Sequence, residues 1–345
     1  MIGVVIVSYT SADVIRTCLQ SLIDTGDPAL RIMVCDNQSP DDTVETVRAW
    51  ASAAGVGLVE RTPDDPPEPA QVTLLHTGGN LGYAGGVNMG LRVLRAQADV
   101  DLFWVLNPDC IVPQDTPAAI RQGAEANPYF GLMGGRIISE EKPHVIQSDG
   151  GQLRCWTGIC YNFNSGLDSA AARPSEQHKL DFISGAHLMI SRTFLETVGP
   201  MREDYFLYYE EVDWAMRRGA MTLAFAPEAV VHHHGGTAIG SGTVTRRASA
   251  FANYFNYRNR MRFMRRFHPW RWPVAYGFSL AKVAKLLLGG HLEEAGGAIR
   301  GLNGMAPPHA VLQRISPKAR SHAFGKARDH NPRWENICSA PSEER

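Results

Sequence analysis

Short apolar runs that alternate with helical repeats constrain this chain more than any other feature. Residues 3–7, Gly-Val-Val-Ile-Val, form the kind of unbroken run that a parallel sheet buries on both faces. A polar loop, Ser8-Tyr9-Thr10-Ser11, leads into residues 12–23, where Val14, Ile15, Cys18, Leu19 and Leu22 recur at helical spacing. A second strand is expected at 31–35. It ends in Asp36-Asn37-Gln38-Ser39-Pro40-Asp41, turn chemistry that opens a helix over 43–52. Residues 71–76 read as a third strand, 87–96 as a helix and 102–106 as a fourth strand, with the Pro- and acid-rich stretch 62–70 as an exposed loop. This β-α-β-α-β-α-β order predicts a doubly wound α/β layer.

Ligands of such sheets bind beyond the carboxyl ends of the strands. Ser8–Ser11, Asp36-Asn37, His76 to Asn80 and Asn107-Pro108-Asp109 are expected there. Strands commonly end in polar turns, so each segment alone says little. All of them at one edge point to a nucleotide-sized site. The stretch Gly78-Gly79-Asn80-Leu81-Gly82-Tyr83-Ala84-Gly85-Gly86 fits G-x-G-x-x-G in no register and follows the third strand, which excludes the dinucleotide fingerprint. No G-x-x-x-x-G-K-[ST] occurs either, so a P-loop phosphotransferase is disfavoured.

Composition narrows the class further. Hydrophobic residues are 44% and charged residues 20% of the 345, ordinary globular values, and 34 Lys+Arg against 35 Asp+Glu argue against a dedicated nucleic-acid binder. Cys18, Cys35, Cys110, Cys155, Cys160 and Cys338 are sparse and form no C-x-x-C pair, which suits a reducing cytoplasm better than a disulfide framework. Cys155 and Cys160 lack partner ligands for a metal site. The first residues have no signal-peptide pattern, and residues 272–290 are interrupted by Pro273, Lys282 and Lys285, too broken for a membrane span.

Several segments in order resemble the inverting family 2 glycosyltransferases, especially the rhamnosyltransferase- and galactofuranosyltransferase-like branch. They are Val5-Ile6-Val7-Ser8-Tyr9, Val34-Cys35-Asp36-Asn37-Gln38-Ser39, Asn80-Leu81-Gly82-Tyr83-Ala84-Gly85-Gly86-Val87-Asn88 and Leu106-Asn107-Pro108-Asp109, then Ser184-Gly185-Ala186. Phe206-Leu207-Tyr208-Tyr209-Glu210-Glu211-Val212-Asp213-Trp214 and Pro227-Glu228-Ala229-Val230-Val231-His232-His233-His234-Gly235-Gly236 complete the series, which spans about 3–265. The resemblance implies an α/β protein of GT-A fold, a Rossmann-like, mostly parallel sheet flanked by helices with a C-terminal helical extension, together with a nucleoside diphosphate sugar donor and a divalent Mg2+ or Mn2+.

It also implies roles. Asp109 falls at the Asp-x-Asp metal motif, with Asn107 in place of the first acid and free to touch metal or donor. His233 is the implied second ligand, with His234 next in line; three adjacent histidines on a strand alternate faces and cannot converge on one ion. Glu211 takes the general-base position, Glu210 contacts the acceptor sugar, and Asp213 either caps the following helix, expected over 212–218, or acts in catalysis. An acidic first turn favoured by the helix dipole is the plain alternative for this cluster. Ser8, Tyr9, Thr10, Asp36, Asn37, Asn80, Gly82 and Asn88 are implied on the donor side, and Ser184, Gly185, Ala186 and Trp214 on the acceptor side.

Charge is unevenly spread. From 229 to 292 there is no Asp or Glu, but there are ten Lys or Arg. Arg246, Arg247, Arg258, Arg260, Arg262, Arg265, Arg266 and Arg271 interleave with Phe251, Tyr254, Phe255, Tyr257, Phe263, Phe267, Trp270 and Trp272. That pattern suits an anionic membrane surface or the diphosphate of a lipid-linked acceptor, while Arg258 and Arg260 could reach the donor diphosphate. No RRM, KH or zinc-finger pattern supports RNA binding. The expected layout is a GT-A domain over 1–240 (nucleotide-sugar half to about 110, metal and acceptor half beyond), a basic aromatic helical region over 241–306 and a polar, loosely ordered tail over 307–345. The expected enzyme is cytoplasmic and peripheral at the inner face of the cell membrane. It acts on a cell-envelope glycan or lipid-linked acceptor, and a homo-oligomer is compatible with it. A nucleotidyltransferase and a non-catalytic, membrane-associated sugar-binding protein are the alternatives.

Overall fold

The computed structural model describes residues 1–66, 68–235 and 247–325. Gly236, Arg246, Cys338 and the tail from 326 lie outside the described residues. The expected alternation is present. Strand β1 (Ile2–Ser8) leads to α1 (Ile15–Asp24), β2 (Leu30–Asp36) and α2 (Thr43–Ala54). Next come β3 (Leu58–Arg61), β4 (Val72–His76), α3 (Gly82–Arg95) and β5 (Leu102–Leu106). The short β3 has no counterpart in the sequence reading. It pairs only with β4, at the edge of the sheet, so the expected third and fourth strands are β4 and β5.

Strands β3, β4, β2, β1 and β5 lie side by side in that order, all parallel. Ser8 stands opposite Asp36, and Asp36 opposite His76, so the strand ends share one edge. Beyond β5 the sheet turns mixed. Here β6 (Cys110–Ile111), α4 (Thr116–Ala126), β7 (Phe130–Ser139) and β8 (Ile146–Ser148) precede a separate hairpin of β9 (Gly151–Arg154) and β10 (Ile159–Asn162). They are followed by β11 (His187–Ser191), α5 (Arg192–Val198), α6 (Glu210–Met216) and β12 (Thr222–His233). The order continues β5-β11-β7-β12-β6, with β11 antiparallel to both neighbours and β6 antiparallel to β12. That last pairing sets His233 opposite Cys110.

One glycine shows how the two halves meet. Gly82 has φ +74°, and a Cβ there would lie 2.3 Å from the Phe206 carbonyl oxygen. Only glycine tolerates both demands. The next residue, Tyr83, donates its backbone N–H to the same oxygen at 2.8 Å, pinning the start of α3 to the segment before α6.

The C-terminal helices are α7 (Ala250–Phe267), α8 (Trp272–Leu288), α9 (Leu292–Leu302), α10 (His309–Leu312) and α11 (Pro317–Phe324). Ser249 caps α7 by accepting the Ala252 N–H at 3.2 Å. Gly297 and Gly301 of α9 lie against the Ala250 and Tyr254 carbonyls, so the two helices approach at backbone distance. Contrary to the expectation of an interfacial aromatic helix, α7 is a core element: Phe251, Tyr254, Phe255, Tyr257 and Phe263 are buried. The same packing corrects the polar tail over 307–325. Val311, Ile315, Ala319 and Ala323 are buried against Phe206, Tyr254 and Phe255, which holds α10 and α11 in place. Cys18, Cys35, Cys110, Cys155 and Cys160 are free thiols. Among the described residues no helix is long and apolar enough to cross a membrane.

Candidate active site

The first centre forms where the loop after β5 meets the end of β12. Asp109 Oδ1 lies 3.1 Å from His233 Nε2, and Asn107 Nδ2 lies 3.2 Å from the same nitrogen. Gln147 fixes the ring: its Nε2 donates to the His233 carbonyl at 2.8 Å, which turns its Oε1 to His233 Nδ1, also at 2.8 Å. With Nδ1 thereby protonated, Nε2 and the carboxylate oxygen face each other as lone pairs unless a proton or a cation lies between them. This donor set, one carboxylate oxygen and one imidazole nitrogen oriented from behind, fits a divalent ion. Burial alone would raise the Asp109 carboxyl, but His233 and the Gly235 amide at 3.2 Å outweigh it and hold the group below its ordinary range.

Cys110 brings its sulfur within 4.8 Å of the ligand atoms of Asp109 and His233. Burial pushes its thiol well above the usual value, and it donates to the Ala186 carbonyl. It therefore stays neutral behind the pair. His234 does not join them. Its ring Nδ1 meets Glu140 Oε2 at 2.9 Å, and strand alternation turns it away from Asp109, which it touches through its backbone N–H alone.

The donor-side residues gather at the strand ends largely by bonding one another. Asp36 accepts from Ser39 Oγ at 2.6 Å and from Ser8 Oγ at 3.3 Å; Thr10 N–H reaches Ser39 Oγ and Tyr9 N–H reaches Ser11 Oγ. Asn37 donates to the Gly82 carbonyl at 2.9 Å and accepts from Thr77 Oγ1 at 3.1 Å. Asn80 accepts the Gly82 N–H at 3.0 Å. Asn88 belongs elsewhere: its amide nitrogen donates to Met201 O and Glu203 Oε1, and its oxygen accepts the Met201 N–H, so it clips α3 to the segment before α6. His76 pairs outward with Glu60.

The second centre is the acidic turn at the start of α6. Phe206, Tyr208 and Tyr209 all have left-handed φ, at 64°, 70° and 75°. Such strain in bulky residues persists only where surroundings enforce it, and it clusters at functional sites. Asn259 of α7 does the enforcing: its Nδ2 donates to the carbonyls of Tyr205, Leu207 and Tyr208 at 2.8, 2.6 and 3.1 Å. Arg258 adds a bond to Tyr205 O at 2.8 Å and another to Ala323 O, so it is a structural clamp and does not reach for the donor.

This turn presents Glu211, half-buried, at the wall of a cleft of about 450 Å³. Burial pushes its carboxyl up to about 7 against the pull of its own backbone amide. Burial and the neighbouring Glu211 charge push the Glu210 carboxyl well above its ordinary range, and among the described residues Glu210 Oε2 is enclosed without a hydrogen-bond partner. Tyr83 stands between the two centres. Burial and the charges of Glu211 and Glu210 keep its phenol protonated, and it donates to the Gly185 carbonyl at 2.6 Å. Of the segment Ser184-Gly185-Ala186, Gly185 thus meets Tyr83 and Ala186 O accepts the Asn107 N–H at 3.1 Å, while none of the three lines the cleft.

Two residues of the acidic motif leave the site. Asp213 is fully buried; its oxygens take Arg217 Nε at 2.8 Å, Arg266 Nη1 at 2.7 Å and the Tyr205 hydroxyl at 3.0 Å. It caps no helix and faces no cleft; it ties α6 to α7. Trp214 is also buried, edge-on to Phe194, with Nε1 donating to Gly199 O, and so lines no acceptor surface. Asn259 and Gln147 are the functional residues that sequence reasoning missed. Both sit far along the chain from what they position, and no local motif marks them.

Known proteins resemble the chain in sequence and in fold. The chain is 25% identical over 264 residues, 75% of its length and 74% of the other's, to the low-salt glycan biosynthesis hexosyltransferase Agl10 of Haloferax volcanii. It is 27% identical over 255 residues to an N-acetylglucosaminyl-diphospho-decaprenol L-rhamnosyltransferase of Mycobacterium tuberculosis, covering 68% of this chain and 76% of that one. Its fold resembles that of S. aureus TarS 1–349 in complex with UDP-GlcNAc, with TM-score 0.52, 14% identity, and 93% and 83% of the two chains covered. It also resembles the mannosyltransferase PcManGT from Pyrobaculum calidifontis in complex with GDP-Man and Mn2+, with TM-score 0.50, 15% identity, and 87% and 86% covered. The expected GT-A fold is therefore the observed one. Residues 3–199 match the model of glycosyl transferase family 2, and with the paired centres above they lead to one conclusion: the chain belongs to that family and is a glycosyltransferase.

Proposed function

We propose that the protein is an inverting, metal-dependent glycosyltransferase. It moves a rhamnose- or galactofuranose-like sugar from a nucleoside diphosphate donor to a hydroxyl of a cell-envelope glycan or lipid-linked acceptor. The observation that carries this reading is Glu211: a carboxyl raised to about 7 at the wall of a cleft, separated by Tyr83 and residues 184–186 from the Asp109–His233 pair. A general base works best with a pKa near the operating pH. Asp109 and His233 would hold Mg2+ or Mn2+, which when bound supplies positive charge against the leaving diphosphate.

The remaining roles follow from position. The network of Ser8, Tyr9, Thr10, Asp36, Asn37, Asn80 and Gly82 shapes the donor edge. Glu211 takes the proton of the acceptor hydroxyl as its oxygen bonds to the anomeric carbon and the bond to the diphosphate breaks, which inverts that carbon. The names of the relatives support the acceptor class, since one is a rhamnosyltransferase toward a diphospho-decaprenol sugar and another acts in glycan biosynthesis. A peripheral site at the inner face of the cell membrane is supported by the end of α8 and the start of α9, where Leu288 and Leu292 are 91% and 69% exposed on the chain that follows Lys282 and Lys285, and by the turn before α8, where Trp270 is 94% exposed.

The test is a panel of nucleoside diphosphate sugars, scored for turnover with Mn2+ and with EDTA, followed by the anomeric configuration of the product by NMR. Donor turnover that needs the ion and gives an inverted product supports the reading; a retained configuration, or turnover indifferent to EDTA, overturns it. Co-sedimentation with anionic vesicles tests the membrane face separately.

A further inference from the structure

The cleft at Glu211 is lined by cations and amides that base catalysis does not explain. Helix α7 turns one stripe toward it, Asn253, Asn256, Tyr257 and Arg260, spaced at three, four and seven residues. Lys282 reaches the same cleft from α8. Arg260 is 4% exposed, and its Nε is enclosed without a hydrogen-bond partner. Its guanidinium lies 4.4 Å from the centre of the Tyr257 ring. Of the other arginines of this helix, the protein answers Arg258 with carbonyls, Arg262 with Asp204 O and Arg266 with Asp213, while Arg265 is exposed and stacks on Trp272. Among the described residues Arg260 has no carboxylate or carbonyl partner, although a buried, unpaired cation is costly to keep. Lys282 likewise faces no carboxylate and rests near the Phe278 ring.

We infer that Arg260 and Lys282, with the Asn256 amide, form a subsite for the diphosphate of a glycosyl diphosphate acceptor; the Asn253 amide nitrogen already donates to Ala248 O. This rests on the proposed transferase reading, in which the acceptor hydroxyl meets Glu211 in the same cleft. Arginine's planar fork suits phosphate oxygens, and two cations on different helices suit a group with more than one negative charge. A neutral glycan acceptor would leave both cations unanswered. The same chemistry arises from a lipid-linked sugar or a free glycosyl diphosphate. In the first case the chain would leave the cleft beside Lys282, toward the exposed apolar face of α8.

The test is calorimetry on the full chain in EDTA, which prevents a divalent ion from carrying the anion at Asp109. The probes are undecyl diphosphate and inorganic pyrophosphate. Wild type binds undecyl diphosphate, Arg260→Met weakens it at least tenfold, and Arg260→Lys recovers part of the loss. Lys282→Ala, at an exposed position that should not disturb folding, weakens it by several-fold. Tighter binding of the alkyl ester than of pyrophosphate identifies a lipid-linked source, and equal binding a free one; both support the subsite. No binding to folded wild type, or equal affinity in wild type, Arg260→Met and Lys282→Ala, overturns it. Because no turnover is read, this result is independent of whether Glu211 proves to be the base.

Discussion

The donor edge and the acidic turn are built on opposite principles. At the donor edge polar side chains satisfy each other: Asp36 with Ser8 and Ser39, Asn37 with Thr77 and Gly82, Asn80 with Gly82. At the acidic turn bulky residues sit in left-handed conformations, Glu210 Oε2 has no partner among the described residues, and two carboxyls are pushed upward by burial. Polar groups that answer one another make a rigid mould for a ligand. Groups left unanswered, at a cost in stability, mark where protons and charge are handled.

The strongest way to break this contrast is at Glu211. Glu211→Gln keeps size and hydrogen bonding but cannot accept a proton, so turnover at saturating donor should fall by about 10²–10⁴-fold with donor affinity unchanged. Stopped or quenched rate measurements decide it, and near-wild-type turnover would strip the turn of its catalytic meaning. Asn259→Ala should come next. Releasing the three carbonyls it holds should shift the base enough to lower turnover by about 10²-fold and should cost about 1–3 kcal/mol in denaturant unfolding. Full activity in a destabilised variant would reduce Asn259 to a fold residue.

The pH profile gives a smaller effect. The base works only when deprotonated, so the Glu211 carboxyl at about 7 predicts a rate that levels off above that pH. Below it the rate should drop by about tenfold per pH unit. A profile flat from pH 5 to 8 would contradict the burial argument. The smallest change in function is expected where α3 is clipped to the segment before α6: Asn88→Ala should cost about 1–3 kcal/mol of stability while leaving the donor KM unchanged. A large KM effect would return Asn88 to the donor site.

Much of this arrangement was legible in order and period. The strands at 31–35 and 102–106 lie within or match β2 and β5, because each is built on an apolar run, Ile32-Met33-Val34-Cys35 and Leu102-Phe103-Trp104-Val105-Leu106, that ends in turn residues. Alternation along a strand also forbade three histidines on one ion, and His233 is the one that meets Asp109. What the sequence hid depends on which face of a helix meets which partner. Arg258 and Arg260 look alike in the chain, yet one bonds carbonyls in the interior and the other lines the cleft. Asp213 and Trp214 share a motif with Glu211, but the packing of α6 on α7 and Phe194 turns both inward. Edge strand β3 escaped notice since four residues carry too little pattern to register.

The split along α7 has a practical side. Arg258 and Asn259 hold the turn that carries the acids, whereas Asn253, Asn256 and Arg260 meet the cleft from another stripe of the same helix. A library confined to 253, 256 and 260 would therefore vary the cleft wall while the scaffold beneath the acids stayed fixed. For anyone redesigning what this enzyme accepts, one helix separates the positions open to change from those to leave alone.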